Sequence, residues 1–375
     1  MLRVKSFEDA PLSGKRVLVR ADFNVPIQDG RVVDDYRIVV TYKTLDVLRA
    51  AGARIVLFSH VSDAKQSLEP VARYLSQRYE VFFRKDIGSR ESYDAVASQA
   101  SGSITFFENI RSNSGEEGND SSFARMLALY GDIYINEAFA VSHREHASIT
   151  TLAQLLPAYA GFQVQKEVQE LSRAFKPEHP FFAALGGAKT KTKLPLITKL
   201  LADVDQLFVG GVLANDILTA QGHDMGEHSV YSKDGLDLTQ VSNDPKLFLP
   251  KDVYVQRGSR IVEVSIQDIE HTDGVVDTAG TRTYELWKGL VRDAKYVLWN
   301  GPFGIYEEGN TAGTLELAHI IAASNAYSII GGGDTIAAVK ELGLMDKFSF
   351  VSTGGGAMLD FLAHETLPGL EPLVW

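Results

Sequence analysis

Residues 328–335 read SIIGGGDT, an apolar run that closes on three glycines and an aspartate. Near-continuous apolar residues suit a strand buried on both faces of a sheet. A segment of helical period, 335–342, follows at once, so the glycines occupy a strand-to-helix turn. The bare amide N–H groups of such a turn, with the positive end of the helix dipole, favour an anion. The same grammar recurs through the second half in FFAALG (181–186), QLFVGG (206–211), YVLWNG (296–301) and FSFVSTGGG (348–356). Helical spacing fills 193–202, 213–221, 283–292 and 312–323 between them. Glycine's freedom to make tight bends explains any one of these turns. Glycine-rich ends on every strand of one half favour phosphate.

The first half keeps the rhythm with different strand ends. RVLVR (16–20), RIVLFS (54–59), EVFFRK (80–85), SITFFE (103–108) and DIYINE (132–137) read as strands. Residues 37–52 read as a helix closed by Gly52, and 67–78 and 121–130 as further helices. The segment 161–176, GFQVQKEVQELSRAFK, reads as a helix bridging the halves, while 223–280 is polar and without clear periodicity. The fold class expected is α/β: two doubly wound parallel-sheet domains joined by a helix. A length of 375 residues agrees with two cores rather than one.

Charge narrows the ligands. With 48 acidic against 37 basic residues and a formal charge of −11, nucleic acid and anionic membranes are not the expected partners. An anionic ligand then needs a local cluster of cations. The chain has no cysteine, which excludes disulfides, thiolate zinc sites and a cysteine nucleophile, and suits a reducing compartment. The opening MLRVKSFEDAPLSG lacks the apolar core of a signal peptide, and no stretch reaches the roughly 18 apolar residues of a membrane span. A soluble, cytoplasmic, monomeric protein is expected.

Such clusters are present. In LGGAKTKTKL (185–194), a helix starting near Thr190 puts Lys189 and Lys193 on one face and turns Lys191 elsewhere. Cations at a helix N-terminus oppose its dipole by roughly a few tenths of a kcal/mol, a cost a polyphosphate offsets. In the first half, Arg20, Asp22, Asn24, Arg37, His60, Arg111, His143, Arg144 and His146 lie mostly at or just past strand ends. Open α/β sheets bind ligands there, and several arginine forks at that edge suit a small, doubly charged acid. No third ligand motif accompanies His143 and His146, so zinc is not expected. Neither G-x-x-x-x-G-K-[ST] nor a strand-borne G-x-G-x-x-G occurs, which disfavours P-loop ATPases and dinucleotide dehydrogenases.

In order, RVLVRADFNVP, DDYRI, FSH, ENIR, HREHAS, GGAK, WNGPFGIYE, GGGDT and STGGGA resemble the motif series of the phosphoglycerate kinases, from about residue 14 to the C-terminus. The resemblance implies two Rossmann-like domains facing across a cleft: 1–160 binding glycerate, with the tail 358–375 packed back on it, an interdomain helix 161–177, and 178–357 binding nucleotide. It implies 3-phosphoglycerate contacts at Asp22, Asn24, Arg37, His60, Arg111 and Arg144. For ATP or ADP it implies Lys189, Lys193, Asn300, Glu307, Gly332, Gly333, Asp334 and Thr335, with Gly354, Gly355 and Gly356 as a phosphate cradle. Asp334 is the implied carboxylate on Mg2+, and Arg37, Lys189 and Lys193 the catalytic cations. The implied reaction passes phosphoryl between 1,3-bisphosphoglycerate and ADP. Its carboxylate acceptor is already ionised at neutral pH, so no general base is required.

Some positions depart from that pattern. SHVSDA (59–64) carries Ser62 and Asp63 where the family has glycine and a phosphate-binding arginine. The expectation is that Asp63 turns outward and that Lys65 supplies the missing charge. EAFA (137–140) replaces Asp-Ala-Phe-Gly, and Val212 and Asn215 in GGVLAND (210–216) leave the nucleotide base undecided. The competing reading is a weakened relative that binds phospho-ligands or a protein without turnover.

Overall fold

A computed structural model describes residues 2–188, 190–232 and 238–375. The chain divides into two compact units, Met1–Gln169 with His364–Trp375, and Glu170–Ala363. Helix Phe162–Leu171 carries the chain from the first into the second.

The first unit is built on a six-stranded sheet, all of it parallel. Its strands run Val81–Arg84, Ile104–Phe107, Arg54–Phe58, Arg16–Arg20, Ile133–Asn136, Ala158–Ala160 across the sheet. The central strands are buried almost throughout, which is why their sequences are unbroken apolar runs. Helix Tyr42–Ala50 buries Thr44, Leu45 and Leu48 on one face. The two leucines join a core of Val17, Val19, Ile55, Leu57 and Ile133, each leucine contributing about 2 kcal/mol by leaving water. The C-terminal segment completes this unit: the Lys5 amide donates to Leu373 O at 2.7 Å, and Asn136 Nδ2 donates to Gly369 O at 3.1 Å.

The second unit carries another all-parallel sheet, Leu247–Phe248, Gln206–Val209, Phe181–Leu185, Tyr296–Asn300, Tyr327–Gly331, Phe350–Ser352. Numbered along the chain this is the 3-2-1-4-5-6 order of doubly wound sheets, which reverses between Phe181–Leu185 and Tyr296–Asn300. Trp287, Trp299, Phe208 and Phe303 pack its core, with the rings of Phe208 and Trp287 edge-on at 4.9 Å.

Three readings need correction. Residues 37–52 form not one helix but two, Tyr36–Val39 and Tyr42–Ala50. The β-branched run Ile38-Val39-Val40-Thr41 strains helical rotamers, and Thr41 Oγ1 bonds the Arg37 carbonyl at 3.3 Å. The irregular stretch holds an antiparallel sheet, Arg260–Ser265, Asp252–Arg257, Gly274–Asp277. Helix Arg90–Ala97, capped by Ser89, was not expected at all.

Candidate functional site

In the first unit the chemistry gathers at the carboxyl edge of the parallel sheet. Strand Arg16–Arg20 delivers Arg20, Asp22 and Asn24; Arg54–Phe58 delivers His60; Ile104–Phe107 delivers Arg111. Arg20 is fully buried, its guanidinium donating to Ser148 Oγ and Ala21 O at 2.7 Å each and lying 3.7 Å from the Glu116 carboxylate. Two of its nitrogens sit 3.3 Å from His60 Nδ1. A guanidinium only donates, so Nδ1 accepts and the imidazole proton resides on Nε2. Burial, then the charges of Arg20, Arg111, Arg37 and Arg144, hold the His60 pKa well below its ordinary value. Four arginines from distant parts of the chain thus bear on one neutral ring. His146, buried beside the same cations, is pushed down to about 4, and burial together with Arg144 lowers Arg111 itself.

Asp22 divides its oxygens, one accepting from the Asn24 amide at 3.1 Å and the other paired with Arg37 at 2.5 Å. Asn24 Oδ1 accepts from both the Ser62 amide and hydroxyl. The Asp63 side chain is exposed and caps the Lys65 amide at 2.9 Å, and Lys65 is itself exposed. Asn109, from ENIR, fastens this loop: its Nδ2 donates to Asp63 O at 3.0 Å and Gln66 O at 3.1 Å. Glu108 adds Ser67 and Leu68. Asn109, Glu108 and Glu116 are supports whose part residue patterns alone did not single out, because the loop and strand segments they fasten lie far away in sequence.

In the second unit the glycine-rich ends pack on one another beside the point where the strand order reverses. Gly301 has φ +97°, and a methyl there would collide with the Gly186 carbonyl. Gly211 has φ +63°, and its added methyl would lie 2.6 Å from the Gly187 nitrogen. Both positions therefore need glycine for conformation and for closeness. Helix Thr190–Asp203 begins just past Gly187. Lys193, in its first turn, is 5% exposed and its Nζ donates to Gly186 O, whereas Lys191 is exposed. Lys189 lies outside the described residues.

Asn300 ends its strand buried, and the Gly301 amide donates to buried Thr335 Oγ1 at 2.9 Å. Gly332 caps helix Gly333–Glu341, whose first turn carries Asp334. Burial, then the charge of Glu307, raises the Asp334 pKa, while its own backbone amide and Lys193 pull it down. Asp334, Glu307 and Lys193 therefore share one electrostatic neighbourhood. Gly354 donates to Ser352 Oγ, and Gly356 opens helix Gly356–His364.

Among the described residues no group of three His, Asp or Glu side chains is placed to hold a metal ion. A carboxylate whose charge is disfavoured by burial and a second acid is one that a divalent cation would stabilise. Magnesium on a nucleotide keeps one or two protein carboxylates and takes its other ligands from phosphate and water. Asp334 fits that donor set. No described helix is long and apolar enough to cross a membrane.

Arginines converging on one parallel-sheet edge, and glycine-lined helix starts around a buried lysine on another, mark a protein that handles phosphorylated ligands. The family model described as phosphoglycerate kinase matches residues 7–365. A phosphoglycerate kinase of Moorella thermoacetica is 39% identical across 98% of both chains, and one of Pelotomaculum thermopropionicum is 39% identical across 99% of both. Among solved structures, phosphoglycerate kinase from Coxiella burnetii superposes with a TM-score of 0.83 at 36% identity, covering 99% of this chain and 98% of its own. That from Pyrococcus horikoshii gives 0.87 at 31% identity, covering 98% of each. The chain belongs to the phosphoglycerate kinase family.

Proposed function

We propose that the two units divide the substrates of one phosphoryl transfer, the first holding the glycerate and the second the nucleotide. The reaction follows from family membership: reversible transfer between 1,3-bisphosphoglycerate and ADP, giving 3-phosphoglycerate and ATP. The observation that carries the division is the buried, neutral His60 under the charge of Arg20, Arg37, Arg111 and Arg144. A field of that strength suits an acid bearing a carboxylate and a phosphate. Arg37, Arg111 and Arg144 would contact its oxygens, His60 Nε2–H and Asn24 would orient it, and Asp22 would hold Arg37. Lys65, exposed on its fastened loop, would meet the phosphate.

In the second unit Lys193 would neutralise the moving phosphoryl, with Lys189 beside it by the family resemblance. Glu307 would contact the ribose. Asn300, Gly332, Gly333, Thr335 and Gly354–Gly356 would present amides and helix starts to phosphate. Asp334 would hold Mg2+, which when bound supplies charge neutralisation at the phosphate oxygens. Because the acceptor carboxylate is ionised at neutral pH, alignment and charge are all the protein must provide. The family's small-molecule substrates, with the acidic balance, support a soluble cytoplasmic enzyme working as a monomer without nucleic-acid or membrane partners.

A coupled assay with ATP, Mg2+ and 3-phosphoglycerate tests the reading. Turnover in the wild type, reduced about 10²-fold or more in Lys193→Ala, supports it, that being the usual scale for one preorganised charge-stabilising group. Tight nucleotide binding without turnover in the wild type selects a binding module instead.

A further inference from the structure

Thr278 follows strand Gly274–Asp277 of the antiparallel sheet, so it reaches the nucleotide-side loops from outside the parallel sheet. Its hydroxyl is buried and used twice. It accepts from the Gly211 amide at 2.6 Å and donates to the Phe303 carbonyl at 2.8 Å, which also accepts from the Thr278 amide at 3.0 Å. Gly211 opens helix Gly211–Ala220 and packs on Gly187, next to Lys193. Phe303 belongs to the loop that carries Glu307.

The neighbouring contacts reinforce the same join. Ile305 donates to Val276 O at 2.9 Å, Asp277 bridges Gly304, and the Asp277 carboxylate accepts from the Gly313 amide at 2.9 Å. The Phe303 amide donates to Thr314 Oγ1 at 3.0 Å. Those bonds fix the Glu307 loop alone. The Phe303 ring packs against Gly210, and the Thr278 hydroxyl is the side-chain group that hydrogen-bonds both to this loop and to the Gly210–Gly211 turn. Gly210 is also held close, since a methyl on it would lie 2.9 Å from Thr278 Oγ1.

We propose that Thr278 is a positioning residue whose hydroxyl sets the spacing between the Gly210–Gly211 turn and the Glu307 loop, and thereby the shape and selectivity of the nucleoside pocket. The proposal rests on the reading that these two segments face the nucleotide. Only a group that both donates and accepts can bridge an amide and a carbonyl, so serine can replace threonine and valine cannot. Valine keeps the shape but takes the acceptor from the Gly211 amide and leaves Phe303 O with the Thr278 amide alone.

Calorimetric titration with MgADP and MgGDP, alongside steady-state kinetics, decides it. In Thr278→Val the Kd for ADP should rise about tenfold and the preference for ADP over GDP should narrow, while KM for 3-phosphoglycerate stays put; Thr278→Ser should restore both. A valine variant that binds ADP as the wild type does, or that loses affinity for both substrates alike, overturns the proposal. Wild-type protein that takes no ADP removes the reading beneath it. Should the valine variant not fold, hydrogen exchange on the wild type decides: a Gly211 amide as protected as its sheet neighbours supports the pin, and a rapidly exchanging one overturns it.

Discussion

His60 Nδ1 lies 3.3 Å from two guanidinium nitrogens of Arg20, and both side chains are buried. The ring is therefore fixed as a neutral acceptor at Nδ1 and a donor at Nε2. It does not titrate in the working range, so KM for 3-phosphoglycerate should show no histidine limb between about pH 6 and pH 8. A kinetic pKa near 6.5 that disappears in His60→Gln would show the ring to be free to protonate.

His146 converts the same cationic surroundings into a stability effect. Its folded pKa, about 4, lies below the value near 6.5 expected unfolded, so only the unfolded chain gains this proton between them. Stability is thus full above about pH 6.5 and falls as pH drops towards 4. Denaturant unfolding at pH 7 and pH 4.5 should show a smaller loss for His146→Gln than for the wild type; equal losses would assign the acid sensitivity to other groups.

Glu137 acts with the opposite sign. It is fully buried, accepts from Thr44 Oγ1 at 2.7 Å and the Gln163 amide at 3.2 Å, and burial pushes it up to about 8. Its folded pKa exceeds the unfolded one, so its contribution is complete below about pH 4.5 and is lost as pH rises through 8. Glu137→Gln keeps the accepting oxygen without the charge. The variant should gain on the wild type progressively from pH 5 to pH 9, and parallel curves would show that the carboxyl never ionises in place.

Lys65 is exposed on a loop that Asn109 and Glu108 hold still. If it stands in for the absent arginine, Lys65→Ala should raise KM for 3-phosphoglycerate several-fold, steeply dependent on salt, and leave KM for ATP alone. An unchanged glycerate KM leaves the loop without a phosphate role.

At Gly301 a side chain meets both a left-handed backbone and the Gly186 carbonyl. Gly301→Ala should cost about 2 kcal/mol or more of stability and weaken ADP binding, measured by thermal unfolding and titration. Wild-type behaviour in both would mean that the two strand ends separate without penalty.

Both parallel sheets were legible because strands buried on both faces write themselves as apolar runs, and the candidate site residues follow directly on those runs. RVLVR led to Arg20 and Asp22, RIVLFS to His60, and SIIGGGDT to Asp334. Alternation hid the antiparallel sheet: RIVEVS (260–265) mixes exposed and half-buried positions, so it resembled a polar loop. Helix Arg90–Ala97 escaped because it buries only Ser92 and Val96, too few apolar positions to set a period. Glu116 and Thr278 carried no local signal, since each acts through residues that only the fold brings near. Asp63 was expected to turn outward; its side chain is exposed and accepts from the amide of Lys65.

The pairing of Val4 with Val374, and of the Lys5 amide with Leu373 O, has a temporal consequence. On the ribosome the first unit is made first, yet its sheet edge waits for a strap translated some two hundred residues after helix Phe162–Leu171. The second unit, contiguous in sequence, can close while the first is still open. A chain cut short before His364 would therefore carry every residue of the second unit and leave the first without the segment that pairs with its N-terminus.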